Sequence, residues 1–336
     1  MPKDKSYWEK RQEQRYLAGE KTINEYYKGL ENAFEQAKDE IDNVINKFYI
    51  RYSKDNNLTY AMAQIKLDSI GIKSLKNYIN KINDSLGEYS LELKNMSVNA
   101  RITRYQALQM QIEAILQQLY SIEYEHNGEK LLKEVYSDSY YRTWYNIDVY
   151  KGFHSEFAQI DPRTVEELIK YPFNGANFST RLWKQKDHML QQLTESLTTM
   201  LIQGKHPSTL SKAFAKKFST KEFEAYRLLH TEGSFIIEQG TLAAYKEDGV
   251  EKYKILATLD HRTSETCRGQ DGEVHEIEEL IVGENYPPFH YLCRTTTIPD
   301  YEDMEIGTRA ARNSEGKTYK VPADMKYPEW LEKYGY

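Results

Sequence analysis

Between residues 260 and 300 the chain gathers side chains that can ligate a metal, move a proton or attack a bond. They are Asp260, His261, Arg262, Thr263, Cys267, Asp271, His275, His290, Cys293 and Arg294. Three chemistries suit such a set. The first is zinc coordination, with Cys267, His290 and Cys293 as ligands and Asp260, Asp271 or His275 as a fourth. Structural zinc is typically held by two closely spaced ligand pairs, and only His290 and Cys293 form one. The second is a Cys/His nucleophile, for which the sequence specifies neither an orienting partner nor an oxyanion hole. The third is a metal-dependent nuclease or hydrolase using His261, Arg262, Asp271 and His275, whose spacing matches no recognised ligand or acid/base pattern. Against all three stands a clasp that does no chemistry. In it Asp260 pairs with Arg262 across a turn, Asp271 caps the turn at Gly272, and Pro287-Pro288 fixes the loop carrying His290 and Cys293. The cysteines then serve as small buried hydrophobes. The residue types alone favour the clasp.

The elements that must position these residues are mostly helical. Ile23, Tyr27, Leu30, Phe34, Ala37, Ile41, Val44 and Phe48 recur at alternating steps of four and three, the seam of a long helix. Ile102, Tyr105, Leu108, Ile112, Ile115, Leu119 and Ile122 predict a second long helix. The sequence between them predicts two shorter helices broken near Gly71 and Gly87. Pro162 opens a short helix, and residues 171–179 are turn-rich. Ser179 then serves as N-cap and Gly204 as the residue just past the end of a further helix. Pro207 fits the first turn of the next, and Ser219 with Glu222 forms a capping-box pattern ahead of another. On that last helix Tyr226, His230, Gly233, Ile237, Gly240 and Ala244 share a face, whose glycines allow close approach of the element that follows. Residues 250–260 and 272–277 are strand candidates, with a turn at Asp271-Gly272. Pro328 opens a final helix pinned by Trp330, Leu331 and Tyr334. The expected fold is therefore α+β and predominantly helical. A helical arm or bundle over 1–170 precedes a domain over 171–300 of helices and a small β unit, and a tail occupies 301–336.

Composition narrows the class further. The chain has 336 residues, two of them cysteine, which argues against a disulfide scaffold and for a reducing cytoplasm. No apolar run is long enough to span a membrane, and the charged N-terminus is no secretory signal. The 28 tyrosines allow surfaces that are apolar and hydrogen-bonding at once. The net charge of −6 gives no global sign of nucleic-acid binding. Locally, Arg181, Lys184, Lys186, Lys205, Lys212, Lys216, Lys217 and Lys221 are opposed only by Asp187 and Glu195. Such a belt can meet phosphate without sequence preference, Lys205, Lys212, Lys216, Lys217 and Lys221 being the candidates, or it can be a solvated helical face.

The pattern Asp260, Arg262, Thr263, Cys267, Asp271, Gly272, then Pro287, Pro288, His290, Cys293, Arg294 and a Thr-rich exit resembles the phage Mu F-like family. These are minor head, or head morphogenesis, proteins of tailed bacteriophages. Thr231 and Glu232 match a Thr-Glu pair of that family, and the tail is similar to members from phages of Gram-positive hosts. The resemblance covers about residues 180–335. It implies a non-enzymatic minor capsid protein inside the virion head, made in the host cytoplasm and associated with portal, capsid and scaffold components during assembly. It also implies contact with double-stranded DNA and a part in DNA delivery. Toxin domains fused after this region in some members have no room here. Cysteine-rich members carry a CxxC and a CRC, but here Ser264 and Thr295 stand at two of the four thiol positions. The resemblance therefore implies a shared structural framework and no required cofactor, with zinc on Cys267, His290 and Cys293 left open.

Overall fold

The computed structural model describes residues 5–336 except 56, 87–100, 154–155, 302–307, 313–317, 323–324, 326–328, 330–332 and 334–336. It is the predominantly helical α+β protein expected. The break near Gly87 and the pinning residues of the final helix lie outside the described residues.

The first helix, α1 (Lys5–Tyr52), buries the predicted seam, with Tyr27 half-exposed. The seam starts earlier than the apolar pattern suggests, because Trp8, Gln12, Arg15 and Gly19 continue it toward the N-terminus, all buried. Next come α2 (Tyr60–Ala63) and α3 (Ser69–Leu86). Gly71 does not break a helix. It sits in the first turn of α3, where its N–H donates to Asp68 Oδ1 at 2.7 Å, so the break falls before it. A reciprocal capping box of Thr103 and Gln106 opens α4 (Arg104–Gln118). A π-helical stretch, Leu119–His126, then leads into α5 (Asn127–Lys151), so the predicted second helix runs on well past Ile122. Asp161 caps α6 (Pro162–Lys170), with proline in the first turn as expected.

Asn177, not Ser179, caps α7 (Phe178–Ile202); Ser179 instead donates to Glu125. Gly204 takes a positive φ of 63° just past the end of that helix, where a side chain would be strained. The two helices predicted after Pro207 are one, α8 (Ser208–Glu247), with Ser219 and Glu222 in its interior. No glycine or proline interrupts 208–232, and Leu210, Phe214, Phe218 and Ala225 keep one buried face through the expected break.

Two compact units are built from interleaved segments. One comprises Tyr26–Glu129 and Ala176–Tyr226 and is helical. Part of its core packs Leu67, Leu75, Ile79, Ile82 and Leu86 with Ala107 and Ala114. The other comprises Met1–Glu25, Lys130–Gly175 and Arg227–Tyr336 and holds the β structure. In this second unit the glycine face of α8 receives helices rather than the following strands. A Cβ at Gly233 would lie 2.3 Å from Ile23 Cδ1 of α1, and one at Gly240 would lie 2.8 Å from the Tyr136 carbonyl of α5.

The strands β1 (Lys252–Leu256), β2 (Val274–Glu276) and β3 (Thr296–Pro299) form an antiparallel sheet in the order β2-β1-β3. The first two were expected. The third comes from the Thr-rich exit, with Leu256 opposite Thr296 and Tyr253 opposite Pro299. A separate hairpin, β4 (Thr308–Arg312) and β5 (Thr318–Pro322), packs Ala311 and Val321 with Leu259. Tyrosines work inside the molecule more than the surface expectation allowed. Tyr253 donates to the Asn285 carbonyl at 3.0 Å and Tyr286 to that of Glu238 at 2.8 Å, so each buried ring brings its own hydrogen bond. Among the described residues no helix is long and apolar enough to cross a membrane.

Candidate functional site

The short helix α9 (Glu265–Gln270) begins at Ser264, whose Oγ accepts from the Cys267 N–H at 3.2 Å. That cap points the Cys267 thiol at the loop 290–294. Within the loop, Leu292 adopts a positive φ of 57°, an uncommon backbone state for a branched side chain. It is held there from α8, because the Leu292 N–H donates to Thr231 Oγ1 at 3.1 Å. The Cys293 carbonyl accepts from Tyr16 and Ser234 hydroxyls, each at 3.1 Å. The loop is thus tied to both α1 and α8, and the fully buried Thr231 of the sequence signature has a defined task.

These constraints bring together the three residues proposed as metal ligands. Cys267 Sγ lies 3.1 Å from His290 Nε2 and 3.7 Å from Cys293 Sγ, and the three ligand atoms all fall within 4.8 Å of one another. Both cysteines are free and buried. His290 Nδ1 meets the Tyr291 carbonyl at 2.8 Å, and a carbonyl only accepts, so the ring proton sits on Nδ1. The Nε2 lone pair then faces the thiols and Ser264 Oγ, 2.7 Å away. A hydrogen bond from Cys293, with help from Ser264, Thr295 and His290, pulls the Cys267 thiol down to about 5 against the opposing effect of burial. Cys293 is pushed up for the complementary reason, since its proton bridges to Cys267 and its surroundings are apolar. The two sulfurs behave as one thiolate–thiol pair.

The rest of the signature is framework. Asp260 accepts from the Arg262 N–H at 2.9 Å and the Thr263 hydroxyl at 3.1 Å. Its ion pair is with Arg294, through two contacts of 2.5 and 2.7 Å, while the exposed Arg262 guanidinium stands 4.0 Å off. The partner expected across the turn is therefore Arg294 rather than Arg262, because bidentate geometry favours a partly buried fork over a solvated one. Burial raises the Asp260 carboxyl, but hydrogen bonding and the charge of Arg294 prevail and hold it below its ordinary value. Asp271 Oδ1 accepts from the Ala257 N–H at 3.0 Å, fixing the end of β1, and Gly272 makes the turn at a φ of 81°. His275 lies on β2 with its ring against Tyr253. Asp260, Asp271 and His275 are thus placed on other duties than the fourth ligand. The fourth side of the cluster belongs to Ser264. The donor set itself, two thiols and an imidazole lone pair, suits zinc.

The lysine belt does not converge in the same way. Lys205, Lys212 and Lys216 are exposed and Lys217 half-exposed. Lys221 has a side chain only 1% exposed, paired to Glu224 at 2.7 Å and close to His188 Nδ1 at 3.0 Å. Lys186 is also buried, against Gln117 and Asp187. Burial inside the helical core removes Lys221 from the surface set of the sequence expectation.

One feature escaped sequence reasoning. Arg15 is buried in an ion pair with Glu238 at 2.8 Å and donates to Ser139 Oγ at 2.8 Å and Thr296 Oγ1 at 2.5 Å. Glu238 also accepts from Thr296 and Thr297 of β3. The available signal was Arg15 standing on the α1 seam, seven residues after Trp8 and eight before Ile23.

A helical α+β protein with its Cys/His clasp built on a long helix and a three-stranded sheet is the class these features define. Residues 191–298 match the family model "Phage Mu protein F like protein". Along its length the chain is 22% identical over 324 residues to "Minor head protein GP7" of Bacillus phage SPP1, covering 92% of each. It is 26% identical over 265 residues to "NAD(+)--arginine ADP-ribosyltransferase EFV" of Enterococcus faecalis, covering 74% of this chain but about half, 53%, of that protein. An uncharacterized Haemophilus influenzae protein matches at 22% identity over 149 residues, 44% of this chain and 32% of that one. No solved structure matches significantly. Residues 191–298 of the chain are thus Mu F-like in sequence, and along nearly its whole length the chain is similar to a phage minor head protein.

Proposed function

We propose that the protein is built into the phage head at the portal vertex during assembly in the host cytoplasm, where it contacts portal, capsid and scaffold components without catalysing a reaction. The observation that carries this is the end-to-end match to a protein named as a minor head protein, covering 92% of each chain. The clasp supports it, since Asp260, Thr263, Asp271 and Arg294 spend their polar groups on fixing backbone and on each other. Within the head, packaged double-stranded DNA meets Lys205, Lys212 and Lys216 through phosphate alone, and the same contact assists delivery into the host.

Co-expression with the portal protein of the same phage tests the first part; the expected result is co-purification on portal rings, and a chain that never accompanies them counts against it. For DNA, neutralising Lys205, Lys212 and Lys216 together should reduce the slope of log affinity against log salt by roughly 2–3. Binding that ignores salt would exclude the phosphate contact. Incubation with NAD and an arginine acceptor is expected to release no nicotinamide.

A further inference from the structure

We propose that Cys267 Sγ, Cys293 Sγ and His290 Nε2 bind a zinc ion, with Ser264 Oγ at the fourth corner, and that this ion fastens α9 to the 290–294 loop. The inference goes beyond head assembly, none of whose proposed contacts needs a metal.

Distance carries most of it. Zinc–sulfur bonds of about 2.3 Å in a tetrahedron place two sulfurs about 3.8 Å apart. The observed Sγ–Sγ separation is 3.7 Å. The same tetrahedron sets sulfur and imidazole nitrogen about 3.5 Å apart. Here Cys267 Sγ and His290 Nε2 are 3.1 Å apart, so the ring needs to swing out by only a few tenths of an ångström. Ring orientation agrees. With Nδ1–H bonded to the Tyr291 carbonyl, Nε2 presents a lone pair inward, the arrangement in which metal-bound histidines are usually held.

The supporting contacts are in place as well. Ser264 fixes the Cys267 backbone, while Tyr16 and Ser234 fix the Cys293 carbonyl. Arg294, next to Cys293 in sequence, is turned to Asp260, so no guanidinium is spent on the thiolates. Two thiolates and a neutral imidazole balance a dication, and any thiol proton still present leaves to buffer as the metal–sulfur bond forms. Those donors are too soft for calcium or magnesium and suit zinc. A Cys267–Cys293 disulfide would instead require an oxidant and a large closure of the sulfur pair from 3.7 Å, and it would leave His290 Nε2 only its contact with Ser264 Oγ.

The test uses the full chain, made in zinc-supplemented cells, purified under reducing conditions and dialysed against metal-free buffer. Elemental analysis should find about one zinc per chain. Replacement by cobalt(II) should give the strong visible bands of a tetrahedral site with thiolate charge transfer. Cys293→Ser should lose the metal, and His290→Gln should weaken retention against a chelating dye at least tenfold. Because those variants can misfold, Ser264→Cys is the decisive companion. It adds a thiol at the fourth corner and should hold zinc at least tenfold more tightly. A zinc-free chain, a Cys267–Cys293 disulfide found by mass in the reducing preparation, or zinc that Cys293→Ser keeps undiminished would each overturn the site. So would a Ser264→Cys chain that gains nothing.

Discussion

The 260–294 clasp and the 205–221 lysines look alike in sequence, each a concentration of chemically active or charged side chains, yet the fold treats them in opposite ways. The clasp gathers side chains from a turn, a short helix and a loop until their polar atoms touch. Apart from Lys205 in the turn before it, the lysines ride on α8, where successive residues rotate by about 100° and a run of like charge is dealt out to every side, the core included. Density in sequence becomes density in space only where turns and caps fold the chain back on itself.

The largest effect that would sharpen this contrast is expected at Asp260. Asp260→Asn breaks a partly buried bidentate pair and should cost about 3 kcal/mol in urea unfolding. A loss below about 1 kcal/mol would mean that the clasp is held by something else.

His230, one position before the Thr231 that anchors the loop, probes the same region through pH. Burial pulls its pKa down from 6.5 to about 4. The unfolded imidazole takes up a proton below about 6.5 while the folded one resists until about 4, so stability is complete above that window. It is lost as pH falls through the window, by about 3 kcal/mol in total. Thermal melts of His230→Gln between pH 7 and 4 should be flatter than those of the parent. The depressed Asp260 carboxyl acts lower, its contribution disappearing as pH falls below the ordinary carboxylate value.

Lys221 offers the next step down. By sequence it belongs to the lysine belt, by burial to the core. Lys221→Gln should cost about 1–2 kcal/mol, since Glu224 loses its partner, yet leave DNA binding unchanged. Smallest of all, Lys212→Gln should shift stability by less than about 0.5 kcal/mol while reducing the salt slope of DNA binding by roughly 1. If Lys221 and Lys212 behaved alike in both measurements, the two regions would not differ as the fold says.

Much of the clasp was legible because local chemistry dictates it. His290 and Cys293 are three apart around a tight loop, Gly272 marks the turn, and Asp260 has few ways to satisfy a buried carboxylate. The Arg294 pairing was less so, since Arg262 stands nearer in sequence and only burial separates the two. For the helices, existence and type were readable from periodicity, but continuity was not. A capping pattern at Ser219 and Glu222 suggested a helix start, whereas the face formed by Phe214, Phe218, Lys221 and Ala225 runs straight through. Following that phase would have placed Lys221 inside. The partner of the α8 glycines was hidden for a different reason. Gly233 and Gly240 announce close approach but not what approaches, and the answer lies with Ile23 and Tyr136, far away in the chain. Similarly, β3 to β5 are too short and polar to announce themselves.

The buried Arg15 also has a consequence for how the molecule is made. Its partner Glu238 lies 223 positions later, and its contact with Thr296 spans 281. At about 5–20 residues per second a ribosome needs on the order of ten to forty-five seconds to travel from one member of the ion pair to the other. Through that interval the first helix can meet Ser139 of α5, but Arg15 has no carboxylate to pair with. This unit must therefore close late, once β3 has been made, and a product truncated before Glu238 would keep its opening helix without the lock that seats it.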